Sequence, residues 1–140
     1  MLDDLGLVAA IEWQIEDFQK RSGIECVLNL PDREPSIDNQ RSTAIFRILQ
    51  EALTNVARHA RAHRVIVALS ESEDEISLSV RDNGIGIPAS KINDPKSYGL
   101  LGIRERLHPY QGTCTIQGGP KGGTEVIIQI RKQLSSPTSL

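Results

Sequence analysis

Arg47, Glu51, Asn55, Arg58 and His59 follow one another at spacings of three and four, so on a helix they would line one border with a carboxylate, an amide and nitrogen bases. Such a border is either a solvated face, with Glu51 and His59 in local pairs, or a hard-cation site. In the second case Asn55 offers an amide oxygen to Mg²⁺, Glu51 orients or deprotonates an attacking group, and Arg58 or His59 meets phosphate. Further along, the alternation of Ile76, Leu78 and Val80 continues to Asp82, which points that carboxylate into the same layer as three core side chains. Buried without a partner it would be costly, and a ligand carrying an N–H donor, such as the exocyclic amino group of adenine, would offset that cost. The alternative is a turn aspartate at the start of a loop. Gly84 and Gly86 follow directly in Asp82-Asn83-Gly84-Ile85-Gly86-Ile87-Pro88 and free the backbone to pass close to a flat ligand, although Asn-Gly alone is only a turn signal.

Gly99-Leu100-Leu101-Gly102 opens a short helix, whose first N–H groups either attract phosphate or simply follow a glycine-rich junction. Thr124 begins a run in which Val126, Ile128 and Ile130 share its face, so its hydroxyl points inward. The preceding turn, Gly118 to Gly123, is not a phosphate-binding P-loop, because Lys121 precedes the glycine pair and the Gly-Lys-Thr order is absent.

The elements that must position these groups follow from periodicity. Leu5, Val8, Ile11, Ile15 and Phe18 predict an amphipathic helix from Asp3 to about Ser22, capped by Asp3 or Asp4 and ended by Gly23. Ile24 to Leu30 predicts a strand ended by Pro31. A longer helix is expected from about Asn39 to Ala60, with Ile45, Leu49, Ala52, Leu53, Val56 and Ala60 as its apolar stripe. Val65-Val67-Leu69 and Ile76-Leu78-Val80 read as a hairpin closed by the acidic turn Glu71 to Asp74. Loop fills Asp82 to Tyr98, a helix runs from about Gly99 to His108, and strands follow at about Gly112 to Gly118 and Thr124 to Arg131. Helices interspersed with hairpin-connected strands imply an α/β fold: a two-layer sandwich with a mixed, mainly antiparallel sheet and its helices on one face.

The composition bounds the partners. The 140 residues make a single domain of 15.4 kDa with net charge −2, not basic enough to announce nucleic acid, and the basic residues around Arg58 to Arg64 lack interleaved aromatics, so no nucleic-acid partner is expected. The apolar share of 39% is enough for a core without disulfide or metal staples. Cys26 and Cys114 read as small buried hydrophobes in a reducing compartment. No apolar run is long enough to span a membrane, and no signal peptide is visible. The start directly on a helix reads as an excised fragment, and the tail 135–140, rich in serine, as disordered.

Taken in order, Glu51/Asn55, Asp82/Gly84/Gly86, Gly99/Gly102 and Gly122/Gly123/Thr124 resemble the ATP-binding domain of bacterial sensor histidine kinases, a Bergerat-type fold shared with gyrase, the heat-shock chaperone ATPase and the mismatch-repair ATPase. Glu51 to His59 resembles the family's asparagine box, Asp82 to Gly86 its first glycine box and Gly99 to Gly102 its second. Tyr98-Gly99-Leu100-Leu101-Gly102-Ile103-Arg104-Glu105-Arg106-Leu107, and the opening Leu2 to Trp13, are similar to the short-lid subgroup that includes nitrate and lipid-fluidity sensors. The resemblance covers nearly the whole chain and implies a catalytic domain over residues 1–134.

It implies further that Asn55 holds Mg²⁺, Asp82 binds adenine N6 with Thr124 helping through water, and Gly84 and Gly86 line the base. The amides of Gly99, Leu100, Leu101 and Gly102, with Arg58 and His59, would meet phosphate, and Glu51 would be the catalytic carboxylate. Pro88 to Tyr98 would form a lid, with Lys91 and Lys96 near the phosphates, although Ser97-Tyr98 stands where relatives often carry glycine. The family phosphorylates a histidine set among acidic residues on a dimerisation helix. None of His59, His63 and His108 has that setting, so the phosphoacceptor domain is expected outside this chain and the fragment is expected to be a monomer that does not autophosphorylate alone. The implied partners are ATP, that dimerisation domain and a downstream response regulator. The implied location is cytoplasmic, without direct membrane contact and with a parent either soluble or anchored. The same residues leave two other classes open: a serine kinase of the anti-sigma type and a non-catalytic, nucleotide-gated docking module.

Overall fold

The structure is a computed structural model that describes residues 5–88, 91, 94, 99–118 and 122–133. The expected caps Asp3 and Asp4, most of the lid including Lys96, Ser97 and Tyr98, the turn residue Lys121, the side chain of Ala60 and the tail lie outside the described residues. In chain order the elements are α1 (Leu7–Ser22), β1 (Glu25–Asn29), α2 (Asn39–Asn55) with a π-helical turn (Val56–Ala60), β2 (Arg64–Glu71), β3 (Glu75–Asp82), α3 (Leu100–Leu107), a 3₁₀ turn (His108–Tyr110), β4 (Thr113–Gly118) and β5 (Thr124–Arg131).

Five strands form one sheet in the order β1-β2-β3-β5-β4, with β1 parallel to β2 and every other pair antiparallel. Val65, Val67 and Leu69 of β2, Ile76, Leu78 and Val80 of β3, and Ile128 and Ile130 of β5 are buried in one core with the helices. The alternate residues, such as Ile66, Ser77, Ser79 and Ile127, are only partly covered. This is the mixed two-layer sandwich that the alternation predicts.

α2 is the keel of that core. Ile45, Ile48, Leu49, Ala52, Leu53 and Val56 are buried along its inner stripe, and each large aliphatic among them contributes about 1.5–3 kcal/mol of burial. Asp38 caps it, accepting from Arg41 N–H at 2.8 Å. The buried Arg41 side chain crosses to β5, its Nε–H donating to Arg131 O at 2.7 Å, and stacks over Tyr110 with 5.0 Å to the ring centroid. The α-helix stops at Asn55, five residues short of the sequence expectation. The Val56 N–H is shared between the carbonyls of Ala52 and Leu53, the chain widens into the π turn, and Arg61 closes it at φ 52°.

The start of α1 also departs from the sequence reading. The helix begins at Leu7 after Gly6 at φ 88°, so Leu7 takes the core position expected of Leu5, which is exposed. Its first amides are met by Glu34 from the loop after β1, whose carboxylate accepts from Val8 N–H at 2.8 Å and Ala9 N–H at 3.3 Å. The charge that meets the start of this helix thus comes from a glutamate across the fold. Cys26 and Cys114 are partly, not fully, buried, and burial pushes both thiols up, so they stay protonated and inert.

Candidate functional site

Strand register decides the first half of the site. Asp82 closes β3 opposite Val65 of β2 and Thr124 of β5, and the parity of the strand turns it inward, 7% exposed, with Thr124 6% exposed beside it. Its Oδ1 accepts from the Gly84 N–H at 2.8 Å. Burial pushes the Asp82 carboxyl up, partly opposed by the main-chain N–H groups of Gly84 and Thr124. Gly84 thus acts as a donor to Asp82 instead of lining the cleft, whereas Gly86 does line it.

Two backbone approaches hold this corner. A Cβ at Gly123, where φ is 82°, would sit 2.1 Å from the Asp82 carbonyl oxygen. One at Gly86, φ 80°, would sit 3.0 Å from the Gly123 carbonyl oxygen. Asn83 adds a tie that its turn-forming reputation conceals: its Oδ1 accepts from His63 N–H at 2.8 Å and Arg64 N–H at 3.0 Å, fixing the start of β2 beside the end of β3. Together these contacts form the back of a narrow cleft walled by α2 and its π turn (Ala52, Asn55, Val56, His59), the sheet (Val80, Asp82, Thr124, Val126) and Gly86, Ile87 and Leu100. Its volume is about 30 Å³, water-sized space.

The second half opens from the first through Asn55 and His59, which line both. This pocket, about 370 Å³, is bounded by Glu51, Asn55, Arg58 and His59 on α2 and its π turn and by Gly99 and Gly102 of α3. Gly99 precedes α3 at φ 68°, and the first helical bond runs from Ile103 N–H to Gly99 O, which leaves the amides of Leu100, Leu101 and Gly102 without partners inside the helix. Leu100 is fully buried against the narrow cleft, while the Leu101 side chain is 44% exposed and lines neither pocket.

The structure also separates what the sequence grouped. Arg47 lines neither pocket and donates to Gln50 Oε1 at 3.1 Å. Glu51 is paired with Arg106 of α3, whose Nε–H donates to Oε1 at 3.1 Å, while Oε2 is buried with no partner among the described residues. Arg106 and Gly123 stand within the sequence motifs, but the sequence assigns neither a task of its own. The signal for Arg106 was its place one turn beyond Gly102 on the same helix face.

The donor set fits a hydrated Mg²⁺ carried by phosphate. The Asn55 amide offers a hard oxygen donor at this pocket beside the Glu51 carboxylate, and among the described residues no cluster of three His, Cys, Asp or Glu side chains forms a protein cage. No described helix is long and apolar enough to cross a membrane.

Residues 40–134 match the histidine kinase-, DNA gyrase B- and HSP90-like ATPase family, and the chain belongs to that family of ATP-binding domains. Similar proteins include the histidine-protein kinase/phosphatase DegS of Brevibacillus brevis, 32% identical over 92% of this chain and 33% of the relative. The nitrate/nitrite sensor NarX of Escherichia coli K12 is 30% identical over 91% of this chain and 21% of its own length. The oxygen sensor histidine kinase NreB of Staphylococcus carnosus is 34% identical over 92% and 37% respectively. The chain thus spans between about a fifth and a little over a third of these relatives. In structure it resembles the kinase domain of a blue-light activated histidine kinase of Erythrobacter litoralis, with TM-score 0.77 and 21% identity over 90% of this chain and 61% of that one. It also resembles the mycobacterial sensor kinase MprB, with TM-score 0.70 and 19% identity over 92% and 97%.

Proposed function

We propose that residues 1–134 are the catalytic domain of a two-component sensor histidine kinase, binding Mg-ATP and donating its γ-phosphoryl group to a histidine on a dimerisation domain outside this chain. The observation that carries the reading is the buried Asp82 carboxylate, opposite Thr124 at the back of a cleft whose other end gathers Asn55, Glu51 and the first amides of α3. In this reading Asp82 accepts from adenine N6, with the Thr124 hydroxyl contributing through water. Gly86 and Ile87 cover the base. The amides of Gly99 to Gly102, with Arg58 and His59, hold the phosphates, Asn55 Oδ1 faces the hydrated metal, and Glu51 is the catalytic carboxylate. Mg²⁺, when bound, offsets negative charge on the phosphates as the γ-phosphoryl leaves.

His59 stands in the site, His63 sits at the start of β2 with its N–H held by Asn83, and His108 lies in a 3₁₀ turn, so the phosphoacceptor is assigned to the dimerisation domain. The fragment acts as a cytoplasmic monomer, and a response regulator receives the phosphoryl group from that histidine. Calorimetric titration with a non-hydrolysable ATP analogue, with and without Mg²⁺, tests the assignment. Wild type should bind, and Asp82→Asn should weaken binding at least about tenfold, because it replaces a buried charged acceptor by a neutral amide. Equal affinity of the two proteins would sink the adenine assignment.

A further inference from the structure

Gly102 poses a question that phosphate approach does not answer. It lies inside α3 without the positive φ that marks Gly99, so an alanine could adopt its backbone and would favour the helix. What occupies its missing side chain is the Glu51 carboxylate: a Cβ at Gly102 would lie 3.0 Å from Oε2 and 3.1 Å from Oε1. One turn later on the same face, Arg106 Nε–H donates to Oε1 at 3.1 Å. Glu51 is therefore bonded to Arg106 and fills the space over Gly102 on one helix face, against the first turn of α3, where the helix dipole favours a negative charge.

We propose that Gly102 and Arg106 form a seat for the Glu51 carboxylate and are positioning residues for it at the phosphate end of the nucleotide cleft. The seat has two consequences. Arg106 neutralises a carboxylate that would otherwise repel an incoming phosphate across the pocket shared by Glu51, Asn55 and Gly99. Gly102 leaves room for that carboxylate to lie flat on the helix, out of the path of the phosphates. The importance of glycine at this position comes from Glu51, and the importance of arginine four residues on has the same origin. The argument for phosphate at this pocket rests on the nucleotide reading above; the geometry of the seat does not.

The test is a set of variants read in two ways. Thermal unfolding is measured for Gly102→Ala in the wild-type and Glu51→Ala backgrounds. The midpoint should fall by a few degrees when Glu51 is present and rise when it is absent, because alanine is then only the better helix former. Binding of a non-hydrolysable ATP analogue and of adenosine is measured for Gly102→Ala, Arg106→Gln and Arg106→Lys. Gly102→Ala and Arg106→Gln should each weaken the triphosphate roughly three- to fivefold, the weight of a partly exposed ion pair, and leave adenosine unchanged. Arg106→Lys should recover part of the loss, and in the Glu51→Ala background neither Gly102→Ala nor Arg106→Gln should have a further effect on binding. The same midpoint shift for Gly102→Ala in both backgrounds, or Arg106→Gln weakening the triphosphate equally with and without Glu51, would overturn the proposal. A sign reversal in stability accompanied by no binding of either ligand to wild type would instead establish the seat and remove the nucleotide reading.

Discussion

The two ends of the cleft are built differently. At the Asp82 end the framework is fixed by strand register and backbone: Asp82 faces Thr124, Gly123 abuts the Asp82 carbonyl, and Gly86 abuts Gly123. At the Glu51 end the groups come from a π turn, the first turn of a short helix and one partly exposed ion pair. The first end is built on the sheet itself. The second is an open pocket lined by side chains of α2 and its π turn and by the start of α3.

That contrast predicts a gradient of sensitivity. The largest effect is expected at Gly123→Ala, which cannot be accommodated 2.1 Å from a carbonyl held in a sheet and should cost about 3 kcal/mol or more, unfolding the domain or abolishing binding. Gly118→Ala, in open space in β4, should be within about 0.5 kcal/mol of wild type in the same denaturant titration. Comparable losses for both would erase the distinction between a crowded corner and an unobstructed strand position.

A smaller, opposite-signed effect is expected at Asp82. Its carboxyl is pushed up by burial, so the folded protein holds its proton to higher pH than the unfolded chain. Stability from that proton is fully present below the unfolded value and is lost as pH rises through the folded one. At neutral pH the ionised group therefore burdens the empty fold, and Asp82→Asn should raise the midpoint by about a few degrees while weakening ATP binding. Nucleotide affinity should fall in parallel as pH is lowered through the folded value. A destabilised Asp82→Asn at neutral pH would mean that the carboxylate is held for the fold, and not for a ligand.

The smallest effect lies away from the cleft. Glu34→Gln removes the negative charge at the start of α1 but keeps one acceptor, and should cost about 0.5–1 kcal/mol. Nucleotide binding should be unaffected in the calorimetric titration, since neither pocket includes α1's first turn.

Much of this molecule was legible before folding was considered. The alternation through Val80 placed Asp82 inward, because side-chain direction in a strand depends only on parity. The stripe on α2 set Asn55 beside the core for the equivalent reason in a helix. The glycines at 84, 86, 99 and 102 were visible as a set, and so was the order of the boxes. Their individual tasks were not. Gly84 is an amide donor to Asp82, Gly86 makes room for Gly123, Gly99 supplies a left-handed turn, and Gly102 makes room for Glu51.

The sequence by itself determined the layers, the inward carboxylate and the family, because each depends on residues that are neighbours along the chain or on a fixed order of motifs. Only the tertiary structure decided that Glu34 caps α1 from 26 residues away and that Arg106 meets Glu51 from 55 residues away. It alone decided that α2 ends in a π turn beside the site. Periodicity records which way a side chain faces. What stands opposite depends on how separate elements pack, and a carboxylate takes whichever donor that packing brings within hydrogen-bonding distance.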